Sequence, residues 1–145
     1  MKKNTVSPRG FTLIEILVVI GIIAILAAIV IIAINPDRQF KQANDAQRSS
    51  NINAILNAIG QNLADNKGTF TCGSVTLPTA TTTIGTTSGL IDLSCLAPTY
   101  IPAIPTDPTT GSAGNTGYSI IKTSSGRISI IATSGLTSTS IIVTR

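Results

Sequence analysis

The sequence predicts an α+β protein in which a long N-terminal helix packs on a small antiparallel β-sheet. Three observations carry that prediction. Residues 16–34 form an unbroken apolar run. Apolar side chains then recur at three- and four-residue steps as far as Leu63, as on one face of a helix. The C-terminal third is rich in β-branched residues set between Gly and Ser turns. A chain of 145 residues has room for one domain and an anchoring segment.

The apolar run comes first. Its 19 residues reach about 28 Å as a helix at ~1.5 Å each, close to the ~30 Å of a bilayer's hydrocarbon. Lys2, Lys3 and Arg9 precede it. The positive-inside tendency therefore places the N-terminus in the cytoplasm and the C-terminal part outside. Within this frame three readings of the segment compete. A secretory signal peptide has a shorter core of roughly 7–15 residues before a small-residue cleavage site, which only Ala27 and Ala28 offer here. A simple signal anchor explains length and charge, with Glu15 tolerated near a helix N-terminus by the macrodipole. The third reading gives Glu15 work to do. Cleavage between Gly10 and Phe11 creates an α-amino group one helical turn from Glu15. Among parallel helices in apolar surroundings, the ammonium of one chain can meet the carboxylate of the next and set their register.

The stretch RGFTLIEILVVIGIIAILAAI resembles the signal and N-terminal helix of type IV pilins and type II secretion pseudopilins. That resemblance implies a pilin-like fold, a leader ending at Gly10 and a mature chain starting at an N-methylated Phe11. It also implies Glu15 as the assembly glutamate. The partners it implies are other copies of the chain, a prepilin peptidase, an assembly platform protein and an assembly ATPase, with the membrane holding the subunit before assembly. The chain would thus be a single-pass protein of the cytoplasmic membrane that later joins an extracytoplasmic filament. Family members often carry a proline inside the apolar segment, whereas this chain has Gly21 there and no proline until Pro36. At INPDRQ the helix is expected to bend but continue; the alternative is a break, with Asn35 capping a second helix.

The expected organisation is a leader over residues 1–10, a membrane or filament-core half-helix over 11–34, an amphipathic half over 35–67 and a globular part over 68–145. The amphipathic half places Phe40, Ala43, Ile52, Ile55, Leu56, Ile59 and Leu63 on its apolar stripe, with Lys41, Asn44, Asp45, Arg48 and Asn51 between. It ends near Lys67, where Gly68 supplies a cap. From Phe70 to Ile84, threonines with Gly73 and Pro78 predict short extended pieces and turns. A brief helical turn falls within GLIDLSCLAP. GYSIIK and GRISIIAT read as a hairpin and SIIVTR as a last strand.

Both cysteines, Cys72 and Cys95, lie beyond the apolar run. Outside the cytoplasm they are expected to form a disulfide, the alternative being two unpaired buried thiols. Tyr100, Pro102, Pro105, Asp107, Pro108, Gly117 and Tyr118 resemble a stretch that enters the sheet in pseudopilins and many pilins. In major pseudopilins this neighbourhood can hold calcium. Here the only oxygen donors nearby are Asp107, Asp92, Asn115 and backbone carbonyls, so Asp107 is expected to cap a turn and no metal is expected.

Three of the four net positive charges are carried by the leader. Its three cations leave a balance of +1 when it is removed. The remaining cations are scattered along the chain with little aromatic interleaving, which argues against nucleic acid as a partner. The chain has no histidine and one glutamate, and no nucleophile or phosphate-loop motif. No enzyme, catalytic residue or cofactor is expected. The expected function is a structural subunit, cleaved after Gly10, that polymerises into a type IV pilus or related extracytoplasmic filament. A type II secretion pseudopilin is the alternative, and a signal-anchored binding domain that never polymerises is a further one.

Overall fold

The computed structural model describes residues 10–145, so all of the expected leader except Gly10 lies outside the described residues. Helix α1 spans Leu13–Ile34. Helix α2 spans Pro36–Asp65. The two are separate helices, not the continuous bent helix expected. Asn35 stands between them in the left-handed region at φ 47°. The ring of Pro36 disfavours a helical conformation at the residue before it, and Asn adopts the left-handed region more readily than most residues. Pro36 itself fits the first turn of α2, where its missing N–H would have had no partner. The Asn35 side chain completes the start of α2 by accepting the Arg38 N–H at 3.3 Å.

By contact density the chain divides into one unit ending at Gln39 and another running Phe40–Arg145. In the second unit the buried face of α2 starts later than the sequence stripe suggests. Arg48, Asn51, Ile52, Ile55, Leu56, Ala58, Ile59 and Asn62 are buried. Phe40 is 71% exposed, and Ala43 is exposed too. Arg48 and Asn51, placed on the polar faces by sequence, point inward because the fold supplies them with polar partners. Past Asp65 the chain turns through Lys67 and Gly68, both left-handed at φ 55° and 86°. The Gly68 N–H donates to the Leu63 carbonyl at 2.7 Å, a Schellman-type closure.

Strands β1 (Thr82–Thr83), β2 (Ser119–Lys122), β3 (Ile128–Thr133) and β4 (Ser140–Thr144) form one sheet in the order β1-β2-β3-β4, with every neighbour antiparallel. Register places Ile120 opposite Ile130 and Ile130 opposite Val143. Their shared face meets Ile52, Ile55 and Ile59 of α2 in the core, with Leu93, Leu96 and Tyr118. A single 3₁₀ turn, Ser94–Leu96, occupies the place of the expected helical turn. Chain packing is tight beside it. A methyl group on Gly85 would stand 2.3 Å from the Gly114 carbonyl oxygen, so only glycine fits there.

Cys72 and Cys95 are joined in a disulfide, with Cα atoms 5.5 Å apart. It ties the loop after α2 to the 3₁₀ turn across 23 residues of chain. In the chain-entropy model a closure of that length stabilises by about 3 kcal/mol. The Cys72→Ala/Cys95→Ala variant should therefore unfold at lower denaturant, with a somewhat steeper slope because the unlinked unfolded chain exposes more surface. An unchanged midpoint would show that the bridge adds nothing to an already ordered loop.

Candidate processing and assembly site

The first turn of α1 is built as a capping box. Thr12 is extended at φ −82° and ψ 151°, and its hydroxyl accepts the Glu15 N–H at 3.3 Å. Glu15 Oε2 reaches back to accept the Thr12 N–H at 3.2 Å and its hydroxyl at 3.3 Å. Thr-x-x-Glu ahead of an apolar run is the sequence signature of this arrangement. Thr12 is the partner of Glu15 that sequence reasoning missed, although this signature was there to find it. The box starts the helix at Leu13 and leaves Gly10 and Phe11 outside it. Phe11 is 82% exposed, so the Gly10–Phe11 bond lies in accessible, non-helical backbone of the kind a peptidase cleft accepts.

Beyond this turn α1 is apolar on every side, and none of its residues is buried. A helix with one apolar stripe could be covered by one neighbouring surface. A helix apolar all round needs an apolar medium all round, lipid or a ring of similar helices. By length and composition α1 is able to cross a membrane. Glu15 is the only charged residue in it.

The second polar constellation lies in the unit Phe40–Arg145. Arg48 Nε donates to Asp107 Oδ2 at 2.5 Å, and Nη2 donates to Asp107 Oδ1 at 3.1 Å and to Thr109 Oγ1 at 2.6 Å. Its remaining Nη1 donates to Asp45 at 2.8 Å. Asp107 Oδ1 also accepts the Thr109 and Thr110 N–H groups, at 2.9 and 3.0 Å, as expected of a turn cap. Asp45 accepts the Ser134 hydroxyl and the Gly135 and Leu136 N–H groups. The Arg48 guanidinium thus ties α2 to the loop before β2, and the Asp45 carboxylate beside it ties α2 to the β3–β4 loop. Burial pushes the Asp45 carboxyl up, but hydrogen bonds from Ser134, Gly135 and Arg48 outweigh it and hold the group at about 2. Asp107 is likewise raised by burial and more than offset by Arg48 and Thr109, so it titrates well below the usual carboxylate range.

Asp92 acts elsewhere, accepting the Ser94 N–H at 2.8 Å to start the 3₁₀ turn. Asn115 accepts the Gly117 N–H at 3.0 Å. The acidic residues near Asp107 therefore serve turns and an arginine. Among the described residues, no three His, Cys, Asp or Glu side chains gather in a metal-holding group. Asn51 closes the constellation by donating to the Tyr118 hydroxyl at 2.9 Å and to the Thr106 carbonyl at 3.0 Å.

Residues 7–34 match the prokaryotic N-terminal methylation motif, the signal of type IV pilins and pseudopilins. The match spans the capping box and the whole of α1 and stops where Asn35 breaks the helix. No curated protein matches the chain, and no solved structure matches it. The motif marks structural subunits of the pilin type, and it implies processing by a prepilin peptidase and assembly into a filament.

Proposed function

We propose that this chain is a prepilin-like structural subunit, cleaved after Gly10, held in the cytoplasmic membrane through residues 11–34 and then polymerised into a type IV pilus or related extracytoplasmic filament. The observation that carries the reading is the methylation motif at residues 7–34, lying on a helix that is apolar on every side. In the membrane, lipid surrounds α1. In the filament, the α1 helices of neighbouring copies surround one another, and burial of their apolar surface is the main stabilising term once the subunit has left the bilayer. Glu15 then meets the α-amino group of Phe11 on an adjacent copy and sets the axial register. The unit Phe40–Arg145 faces outward, with its disulfide suited to an oxidising compartment.

Mass spectrometry of the N-terminal peptide, taken from protein purified from its native membrane, tests the processing step. The expected peptide starts at Phe11 and carries one added methyl group. A peptide starting at Met1 returns Glu15 to a membrane-edge carboxylate and favours the anchored monomer. A start beyond Ala28 makes the segment an ordinary signal peptide and removes the filament reading.

A further inference from the structure

In the unit Phe40–Arg145, Phe40 is the most exposed large apolar side chain, at 71%. It holds a helix-face position in α2, but the buried face of that helix begins only at Arg48, so its own fold leaves the ring uncovered. A single exposed apolar residue is ordinary on a protein surface. What gives this one a role is a receptor for it elsewhere on the same unit.

The receptor is an open cavity of about 280 Å³ beside the 3₁₀ turn. Buried Ile84 and Leu93 line it, together with the more exposed Ala97, Pro102, Ala103 and Ile104. Polar side chains around it are already engaged. The Thr116 hydroxyl donates to the Ile84 carbonyl at 2.7 Å, and the Thr86 hydroxyl donates to the Ala113 carbonyl at 3.3 Å. The Asp92 carboxylate accepts the Ser94 N–H. An apolar guest breaks none of these bonds and leaves none of these groups unpaired. A dry apolar cavity of about 150 Å³ takes up benzene, so this one has room for a phenyl ring.

Phe40 does not fill the cavity of its own chain. Thr106 lines the cavity, and its carbonyl accepts the Asn51 amide N–H at 3.0 Å, so this edge of the cavity is level with Asn51 on α2. Eleven residues of helix lead from Phe40 to Asn51, roughly 16 Å at ~1.5 Å per residue. That is beyond the reach of a phenylalanine side chain, but a ring from another copy is not so limited. We infer that Phe40 of one copy seats in the cavity of the next, against Ile84, Leu93 and Ala103, as a knob in a hole. Knob and hole are different patches, so the contact is heterologous: it does not close as a twofold dimer and can repeat from copy to copy. The inference rests on the filament reading and deepens it. Phe40 closely follows the end of α1 at Ile34 in the chain. Where the α1 helices of neighbouring copies surround one another, the start of α2 in one copy is kept near the surface of the next. Glu15 then sets register in the apolar core, and Phe40 locks each outer unit onto its neighbour.

A photoactivatable benzophenone side chain in place of Phe40, in the full chain, tests the contact in sheared filaments. Irradiation is expected to join two copies, with fragment spectra placing the link within residues 84–116 of the neighbouring copy. Ala103→Trp, which fills the cavity from an exposed position, should remove that link. F40A and A103W should each lower filament yield on the order of tenfold or more, the scale of losing an interface aromatic. The detergent-solubilised variants should melt close to the unaltered chain, since both positions are on the surface. The F40A/A103W pair should be no worse than either single change, because both delete the same contact. Filaments of normal yield from F40A, links outside the cavity or to lipid alone, or losses that multiply in the pair overturn the inference and leave the filament reading standing. Failure of the unaltered chain to form filaments removes the filament reading instead. The presence or absence of the link in the detergent-solubilised chain then decides the knob-and-hole contact by itself.

Discussion

Replacing Arg48 with alanine is expected to destabilise the unit Phe40–Arg145 by about 3–5 kcal/mol, the largest effect of any single side chain outside the apolar core. The size follows from what is left behind. Asp107 and Asp45 would remain in or near the interior with one cation fewer, and the Thr109 hydroxyl would lose its donor. A domain of this size has only about 5–15 kcal/mol to lose, so the melting temperature should fall by some 15 °C or more. Arg48→Lys should recover little, because an ammonium cannot span the Asp107 carboxylate with two parallel bonds while also reaching Asp45. The R48M/D107N pair should be milder than R48A, since it removes both charges together. Thermal unfolding followed by circular dichroism measures all three. A melting point for R48A within a few degrees of the unaltered chain would mean that water replaces the guanidinium without loss.

The same constellation sets the acid limit of the fold. Asp45 titrates near 2 in the folded chain against an ordinary 3.8, and Asp107 is displaced in the same direction. Both bind protons less readily folded than unfolded. Their contribution is complete above pH about 5 and is lost progressively as pH falls towards 2, on the order of 2 kcal/mol for Asp45. Melting temperatures at pH 7 and pH 4.5 should therefore agree closely, with a steep fall below pH 4. In R48A the fall should be shallower over the same range, because the Asp107 carboxyl, without its strongest partner, is no longer held so far below its unfolded value.

Why α1, the β2–β3 hairpin and β4 were readable in the sequence, and the Arg48 constellation was not, is a matter of range. An all-apolar run or an alternating β-branched run states its own surroundings, since burial is decided by composition and period. The Thr12–Glu15 box is equally local, spanning one helical turn. Arg48 and Asp45, three residues apart, read as a solvated helix pair, and what turns them inward is Asp107, 59 residues away in sequence. The helix break at Asn35 was a competition between two local rules, and the effect of Pro36 on the preceding residue prevailed over helix continuity. Phe40 shows the reverse limit. Its position in the periodic stripe is correct for a helix face, yet the buried part of α2 starts two turns later, at Arg48, and periodicity carries no information about where a core ends.

Glu15→Gln is expected to abolish filament formation while leaving processing and the fold of the first helical turn intact. The choice of glutamine rests on the capping box. A Gln oxygen at the third helical position accepts the Thr12 N–H as Glu15 does, so the local cap survives and only the charge is deleted. If Glu15 acts by pairing with the Phe11 ammonium of a neighbouring copy, losing the charge strands that ammonium in apolar surroundings, and the register signal disappears. If instead the role of Glu15 is to begin α1 in the right place, Gln should assemble normally and only Glu15→Ala should fail. Thr12→Ala supplies the complementary case: it removes the hydroxyl that accepts the Glu15 N–H but keeps the carboxylate. On the pairing reading T12A retains filaments at reduced yield, in line with the loss of roughly 1 kcal/mol of cap, whereas E15Q yields none. Electron microscopy of sheared filaments, with immunoblots of the membrane fraction to confirm that each variant is made and cleaved, separates the two roles. Abundant filaments from E15Q would sink the pairing argument and leave the carboxylate as a helix cap alone.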